Sequence, residues 1–364
     1  MFGVLKNRCG FVKRVAVIGS TLVFGLTAGH VNAGKFEDTH KIFIDQHVYP
    51  LTDQFKNATI QFKKSIEALC RSSTTERSEF MAPFMDLNES WQQIQHIRLG
   101  ALTDYDQFHR IAFWPDKRGK LSKALRGLEA EIEAGKQPDL QHLASGSVAV
   151  QGLPLLERLI FAKDDPVSKN ECDYIYLVAE NLDEIGHSIV RGWQNPENGY
   201  GAEILLLTGE PELYTSELGA QVDILTNFLA ALEWVEDIKI RAALGETPQD
   251  ARYKRLENWR SNLSFRNIRL NMQSPRLHYE QVYQPFVKAF DYGDVKDKKI
   301  LERFDKVDSI LANRGTVDVM KISLPDVWED MMEVAKTIRS IRSEIFVTGR
   351  KLEIPVGFNS LDGD

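Results

Sequence analysis

The sequence predicts an all-α protein built as two helical bundles packed together. Apolar residues recur at steps of three and four over most of the chain, and no segment alternates with the period of two that marks a strand. Clusters of Gly and Pro cut the chain into helix-length pieces. Residues 169–195 carry Cys172, Ile175, Val178, Leu182, Ile185, Ile189 and Trp193 along one stripe. Residues 216–243 repeat the pattern with Leu218, Val222, Leu225, Leu229, Leu232, Val235 and Ile238. Stripes this long suit the helices of a bundle, which bury one face and solvate the other.

The same spacing predicts helices over 39–70, 77–100, 119–134, 139–162, 276–290, 296–313 and 324–346. Trp114-Pro115-Asp116-Lys117-Arg118-Gly119 reads as a turn, with Pro and Gly bracketing charges. Pro196, Gly199 and Gly201 end the long helix, and Gly209 with Pro211 follows closely. The joint between bundles is therefore expected within 195–215, giving an N-terminal bundle over 34–200 and a C-terminal one over 201–364. Gly245 and Pro248 then stop the next helix. The tail after Ile354 reads as loosely ordered.

The first 33 residues read as an export signal. Lys6, Arg8, Lys13 and Arg14 form a basic start, and an apolar core from Val15 to Gly29 is short for a membrane span. Val31-Asn32-Ala33 supplies the small-x-small cleavage pattern, which places the cut near Ala33 and the mature chain in the periplasm with no transmembrane span. The whole chain carries −7, and losing four basic residues makes the remainder more negative still. No basic tract survives to neutralise phosphates, which argues against a nucleic-acid partner. Cys9 leaves with the leader, so Cys70 and Cys172 remain as an even pair. In an oxidising compartment they are read as a disulfide, with two buried thiols as the alternative.

The chemistry is sought first in VAVQGLPLLERLIF, residues 148–161. Gly152 and Pro154 interrupt an apolar helix pattern, and Glu157 places a carboxylate one turn on. Two readings are open: a helix starting near Gly152 with Pro154 in its first turn, or a continuous helix kinked at Pro154.

Here the sequence resembles the imelysin family, marked by a Gly-x-His-x-x-Glu motif. Gly152-Leu153-Pro154-Leu155-Leu156-Glu157 matches its Gly and Glu and carries Pro in place of the His. The likeness extends to Trp91 with Arg98, to Phe113 through Gly119, and to Glu257-Asn258-Trp259-Arg260-Ser261. It spans most of 36–345, and the contexts of Cys70 and Cys172 share it. The resemblance implies two helical-bundle domains with a pocket near their interface, and an envelope protein linked to iron uptake. It carries over Gly152, Pro154, Glu157, Arg118, Trp259, Arg260, Ser261, Trp91 and Arg98 as ligand-binding candidates. Iron as a cofactor is implied by the resemblance alone, and the partner is an unidentified small ligand or an envelope iron-uptake protein. The family name also includes peptidase, but zinc hydrolysis needs three protein ligands and Pro154 removes the imidazole.

Other candidates are weaker. Glu184 and His187 form a Glu-x-x-His step, the ligand spacing of di-iron bundles, without a clear second step. Glu233, Asp237 and Arg241 stand four apart and read as helix-surface ion pairs. Ser261 has no identifiable base, and no catalytic residue is assigned. His47 and His96 have no visible partner. Arg260 and Arg118 are anion clamps in type, and the simplest arrangement pairs one of them with Glu157. The sequence reading is ligand or partner binding in iron acquisition, with a metallopeptidase and a periplasmic structural adaptor as rivals.

Overall fold

The first apolar stripe folds as a single helix, α1, over residues 34–69, in which Phe43–Val48 widens into a π-helical turn. The chain is a computed structural model that describes residues 34–71, 74–136, 139–207, 214–290, 292 and 294–356. The leader, its cleavage point, part of the predicted joint and the last eight residues lie outside the described residues. From the start, α1 packs against α2 (Ser78–Ile94) and the long α7 (Lys169–Gln194). At the crossing a Cβ on Gly186 would lie 2.7 Å from Thr59 Oγ1, so α1 and α7 meet at backbone range. Between α2 and α7 come α3 (Gln107–Ile111), α4 (Lys120–Glu133), α5 (Leu140–Ser145) and α6 (Leu153–Phe161). A short α8 (Tyr200–Leu206) follows.

The second group is α9 over residues 217–244, α10 over 264–288, α11 (Asp294–Arg314) and α12 (Pro325–Lys351). Here α10 packs on α11, α11 on α12, and α12 on α9, while α10 also lies against α2. Two hydrophobic cores result. One gathers Phe55, Phe84, Trp91, Leu156 and Trp193, the other Phe228, Phe265, Phe304, Val334 and Ile341. The helix α9 serves both, with Ile224 in the first and Leu225 in the second. A seam of buried polar groups joins the sides. Asn88 donates to Asn267 Oδ1 at 2.9 Å, Asn271 donates to the Gln92 carbonyl at 2.7 Å, and Lys239 donates to Gln92 Oε1 at 3.0 Å.

The all-α class holds, and no described helix is long and apolar enough to cross a membrane. Cys70 and Cys172 are bonded, with Cα atoms 5.6 Å apart, tying the end of α1 to the first turn of α7. Beside the bond, Thr74–Thr75 pairs antiparallel with Val167–Ser168, a pair of strands too short to leave a period in the sequence. The predicted helix 139–162 is divided into α5, a 3₁₀ turn at Val148–Val150 and α6. The predicted helix 276–290 begins earlier, at Ser264. Pro275 sits inside α10, next to a second π-helical turn at Tyr279–Tyr283. A third π-helical turn, Trp234–Arg241, lies in α9.

Candidate functional site

The first turn of α6 decides between the two readings of Pro154. Gly152 is the N-cap, in extended conformation, and Pro154 is the second residue of the helix. A first-turn amide has no helical acceptor, so proline forfeits nothing there and presets the helical φ. A Cβ on Gly152 would collide with the carbonyl oxygens of Ile111 and Arg110, so the end of α3 crosses directly over it. Gln151 anchors the approach. It accepts from Arg110 Nε at 2.8 Å and donates to the carbonyls of Ala144 and Gly146 at 3.2 Å, while Asn181 donates to the Gln151 carbonyl at 2.8 Å.

One turn into α6, Glu157 is only 5 % exposed. Its Oε1 accepts from the Arg260 amide at 3.2 Å, the Ser261 amide at 3.1 Å and the Ser261 hydroxyl at 2.9 Å. Successive amides converging on one oxygen form an anion nest. The loop that presents them is bracketed by Asn258 and Asn262, both at positive φ (54° and 59°), a region Asn tolerates better than most residues. Asn258 is held in turn by Asn267, which donates to its Oδ1 at 2.9 Å. Burial pushes the Glu157 carboxyl above its ordinary pKa, opposed by the Ser261 and Arg260 donors and the Arg260 charge.

The expected pairing of Glu157 with a guanidinium is corrected. Among the described residues no ion pair joins Glu157 to an arginine, because the backbone of Arg260 faces the acid while its guanidinium lies over the Trp259 ring at 4.0 Å. Arg118 is exposed, in the turn where Asp116 caps α4 by accepting the Lys120 and Leu121 amides, each at 2.9 Å. Ser261 Oγ is engaged with Glu157 and with the Asn258 carbonyl, 3.1 Å away.

Pro154, Glu157, Trp259 and Arg260 come together on the wall of a cavity of about 720 Å³. Gly152 and Arg118 are not among its lining residues, and Ser261 reaches it only through Glu157. The opposite wall is Phe113, Trp114 and Pro115, with Ile238 and Ala242 of α9 at one side. Lys117, Arg158, Lys254, Arg255 and Arg260 line it against two acids, Asp116 and Glu157. Asp116 is turned toward the α4 amides and Glu157 Oε1 toward the nest, and five basic side chains against two acids leave the wall cationic. Arg158 and Arg260 stand close enough that, after burial, Arg158 is the main cause lowering the pKa of Arg260.

Trp91 and Arg98 lie behind this wall. Trp91 packs edge-on to Phe108 at 5.1 Å, and the Arg98 guanidinium sits 4.2 Å from the Phe108 centroid and 3.5 Å from that of Trp234. Trp234 meets Trp114 edge-on at 6.2 Å, so the stack ends at the cavity. Burial brings the Arg98 pKa down to about 9 against the opposing charge of Glu257. Glu257 forms a buried ion pair with Lys239 in the third π-helical turn.

The weaker candidates are not drawn into this site. His187 Nδ1 lies 2.9 Å from the Asp183 carbonyl and 3.3 Å from Asp183 Oδ1, and with Glu184 it lines a separate surface depression. Arg241 pairs with Asp237 at 3.7 Å and Glu236 at 3.1 Å, while Glu233 pairs with Arg342 at 3.0 Å. One cluster escapes the sequence reading altogether: the rings of His47, His96 and His278 meet in the interior. The only sequence signal was that His47 sits four residues from both Phe43 and Leu51, inside an apolar stripe.

The fold and sequence were compared with known proteins. An imelysin-like protein from Psychrobacter arcticum superposes with a TM-score of 0.71 at 17% identity, covering 90% of this chain and 98% of that one. A putative iron-regulated protein A precursor from Parabacteroides distasonis gives 0.70 at 15% identity, covering 88% and 95%. A search of curated proteins returned no match. The imelysin family model matches residues 47–340, most of the length over which the cavity, its nest and both cores are built, and the chain belongs to the imelysin family.

Proposed function

We propose that the protein is an exported, periplasmic binding protein that holds a small anionic ligand in the cavity between α6 and the Trp259–Arg260 loop, as a step in iron acquisition. The observation that carries this is the pair Arg158 and Arg260. Both line the cavity, they repel one another, and neither has a carboxylate within ion-pair distance among the described residues. Adjacent guanidinium groups not engaged in a direct ion pair among the described residues, with Glu157 opposing them only at longer range, suit a carboxylate or phosphate, which each can grip through two parallel N–H bonds. Phe113, Trp114 and Trp259 add flat apolar surface for the body of such a ligand. A cationic cavity in a chain of net −7 also concentrates anions at one place.

Export is supported by the leader pattern and by the Cys70–Cys172 bond, which suits an oxidising compartment. The iron link is supported by the similarity to the iron-regulated protein A precursor of Parabacteroides distasonis. Hydrolysis is left out of the proposal because Pro154 stands where the motif needs a metal-binding imidazole. In the same reading the two hydrophobic cores correspond only broadly to the two bundles expected on either side of residue 200, since Ala220, Ile224, Leu263 and Val282 join the first core and Phe36 the second.

The test is calorimetric titration with citrate, ferric citrate and inorganic phosphate. Saturable binding that weakens with added salt and drops at least about tenfold in Arg158→Ala and Arg260→Ala is expected. If none of the three anions binds, or if both variants bind as the parent does, the reading is wrong. Growth of a deletion strain under iron limitation checks the pathway separately.

A further inference from the structure

A second site is built away from the cavity, where His47 of α1, His96 beyond the end of α2 and His278 of α10 converge. One ring nitrogen from each lies within 4.8 Å of the others, and the three residues are between 0 and 5 % exposed. They come from three separate stretches of chain and from both sides of the polar seam. Aromatic rings form part of the shell around them. Phe228 stacks on His278 at 4.4 Å with planes 6° apart, and Phe43 lies 5.4 Å from the same ring.

The hydrogen bonding defines the tautomers. His96 Nδ1 lies 2.9 Å from the Gln93 carbonyl, which only accepts, so Nδ1 carries the proton and Nε2 presents a lone pair. A backbone carbonyl orienting the far side of an imidazole is the usual outer partner of a metal-bound histidine. His96 Nε2 is 2.7 Å from His47 Nε2, which therefore donates to it when no ion intervenes. That leaves His47 Nδ1 without a partner, and His278 Nδ1 is equally unpaired. Buried polar atoms left this way in an otherwise well-bonded interior call for a missing occupant. Burial also lowers the pKa of all three rings, His47 to about 4.

We propose that His47, His96 and His278 form a binding site for a late first-row transition-metal ion of the Zn²⁺ or copper class, which clips α1, the end of α2 and α10 together. Neutral imidazoles with no carboxylate among them suit that class, whereas Mg²⁺ and Ca²⁺ need oxygen ligands. The absence of a carboxylate also distinguishes the cluster from the two-histidine, one-carboxylate iron site. Coordination is balanced without net proton release. The proton on His47 Nε2 moves to Nδ1, beside the Gln281 side chain, which interacts with His47 and whose Oε1 also lacks a partner. The two Nε2 atoms must part to about 3.3 Å for Zn–N bonds of about 2.0–2.1 Å. Both flanking helices have a π-helical turn there, at Phe43–Val48 and Tyr279–Tyr283, and these two turns touch each other. Such widened turns are frequent at functional sites.

Because the cluster is closed to solvent, the protein is unfolded in denaturant with its disulfide intact and refolded with Zn²⁺ or with Co²⁺ as a spectroscopic stand-in. After passage over a weak chelator, one ion per chain is expected, with the absorption of nitrogen-ligated, low-coordinate Co²⁺. His96→Gln and His278→Gln should each weaken retention at least about 100-fold, with circular dichroism confirming that they fold. His187→Gln and His109→Gln should retain the ion. Absence of retained metal in the parent overturns the proposal. So does retention that survives His96→Gln and His278→Gln, or that is lost in His187→Gln. The cavity's anion titration is read independently, so failure of one site leaves the other standing.

Discussion

Glu157 Oε1 is held by both the amide and the hydroxyl of Ser261, 104 residues further along the chain, at 3.1 and 2.9 Å. This contact, with the neighbouring Arg260 amide, fastens the helix of the first core to the loop of the second. Glu157→Ala strands two amides whose acceptor was buried, at a cost of about 2–3 kcal/mol. Ser261→Ala removes one hydroxyl donor and costs about 1 kcal/mol, and Glu157→Gln, which keeps an acceptor, falls between. Urea midpoints at constant m-value give the order. A Glu157→Ala protein as stable as its parent contradicts the nest.

The contact also shows what the sequence could and could not tell. The long stripes of α7 and α9 were readable because a buried helix face must repeat every three or four residues. The start of α6 was only half legible: Pro154, which has no amide to donate, fits a first turn or a kink equally well in sequence, and the fold settles on the first turn. The partner of Glu157 was misread as a guanidinium, because side chains are visible in a sequence and backbone amides are not. The π-helical turns were illegible for a related reason: what defines them is which carbonyl each backbone amide reaches, and that pairing leaves no mark in the side chains. His278 illustrates it, brought to His47 only by the geometry of two such turns. The interior of α10 was lost to Pro275, whose local preference is overridden by packing against α2 and α11.

Two glycines separate close approach from mere flexibility. Gly152→Ala drives a methyl into the Ile111 and Arg110 carbonyls, so the crossing of α3 over α6 must open. A loss of at least about 3 kcal/mol is expected, with anion binding lost alongside it. Gly127, inside α4, has nothing within 4 Å of its would-be Cβ. Gly127→Ala should gain about 0.5–1 kcal/mol, as alanine does at an open helical position. Equal effects at the two sites would refute the assignment.

Glu171 sets part of the acid limit of the fold. Burial would raise its pKa, but Lys163, the Ser168 amide and Arg77 outweigh that and bring it down to about 2. A carboxyl whose folded pKa is depressed stabilises above its ordinary pKa of 4.5, and that part is lost as pH falls from there toward 2. Arg77, 3 % exposed, also donates to the carbonyls of Leu159 and Asp165, so it holds the end of α6. Arg77→Ala should cost about 3 kcal/mol at neutral pH, as breaking one side of a buried pair does. Denaturation measured between pH 7 and 2.5 should show the gap to the parent narrowing below pH 4.5. A gap that is constant or widening in acid goes against this account.

Pro154→His asks whether the proline alone separates this chain from the family motif. The substitution falls in the first turn, where an added amide has no acceptor to satisfy, so stability should change by less than about 1 kcal/mol. It places an imidazole on the cavity wall one turn before Glu157, whose Oε2 has no donor within hydrogen-bond distance among the described residues. With His96→Gln in the background to silence the buried cluster, Co²⁺ binding should tighten about tenfold over that background. Adding Glu157→Gln should erase the gain. Casein cleavage should stay at the level of the blank, because two ligands hold an ion too loosely to activate water where hydrolytic zinc sites use three. Cleavage that appears with this one change would show that the cavity still carries hydrolytic machinery, and that Pro154 was all that kept it silent.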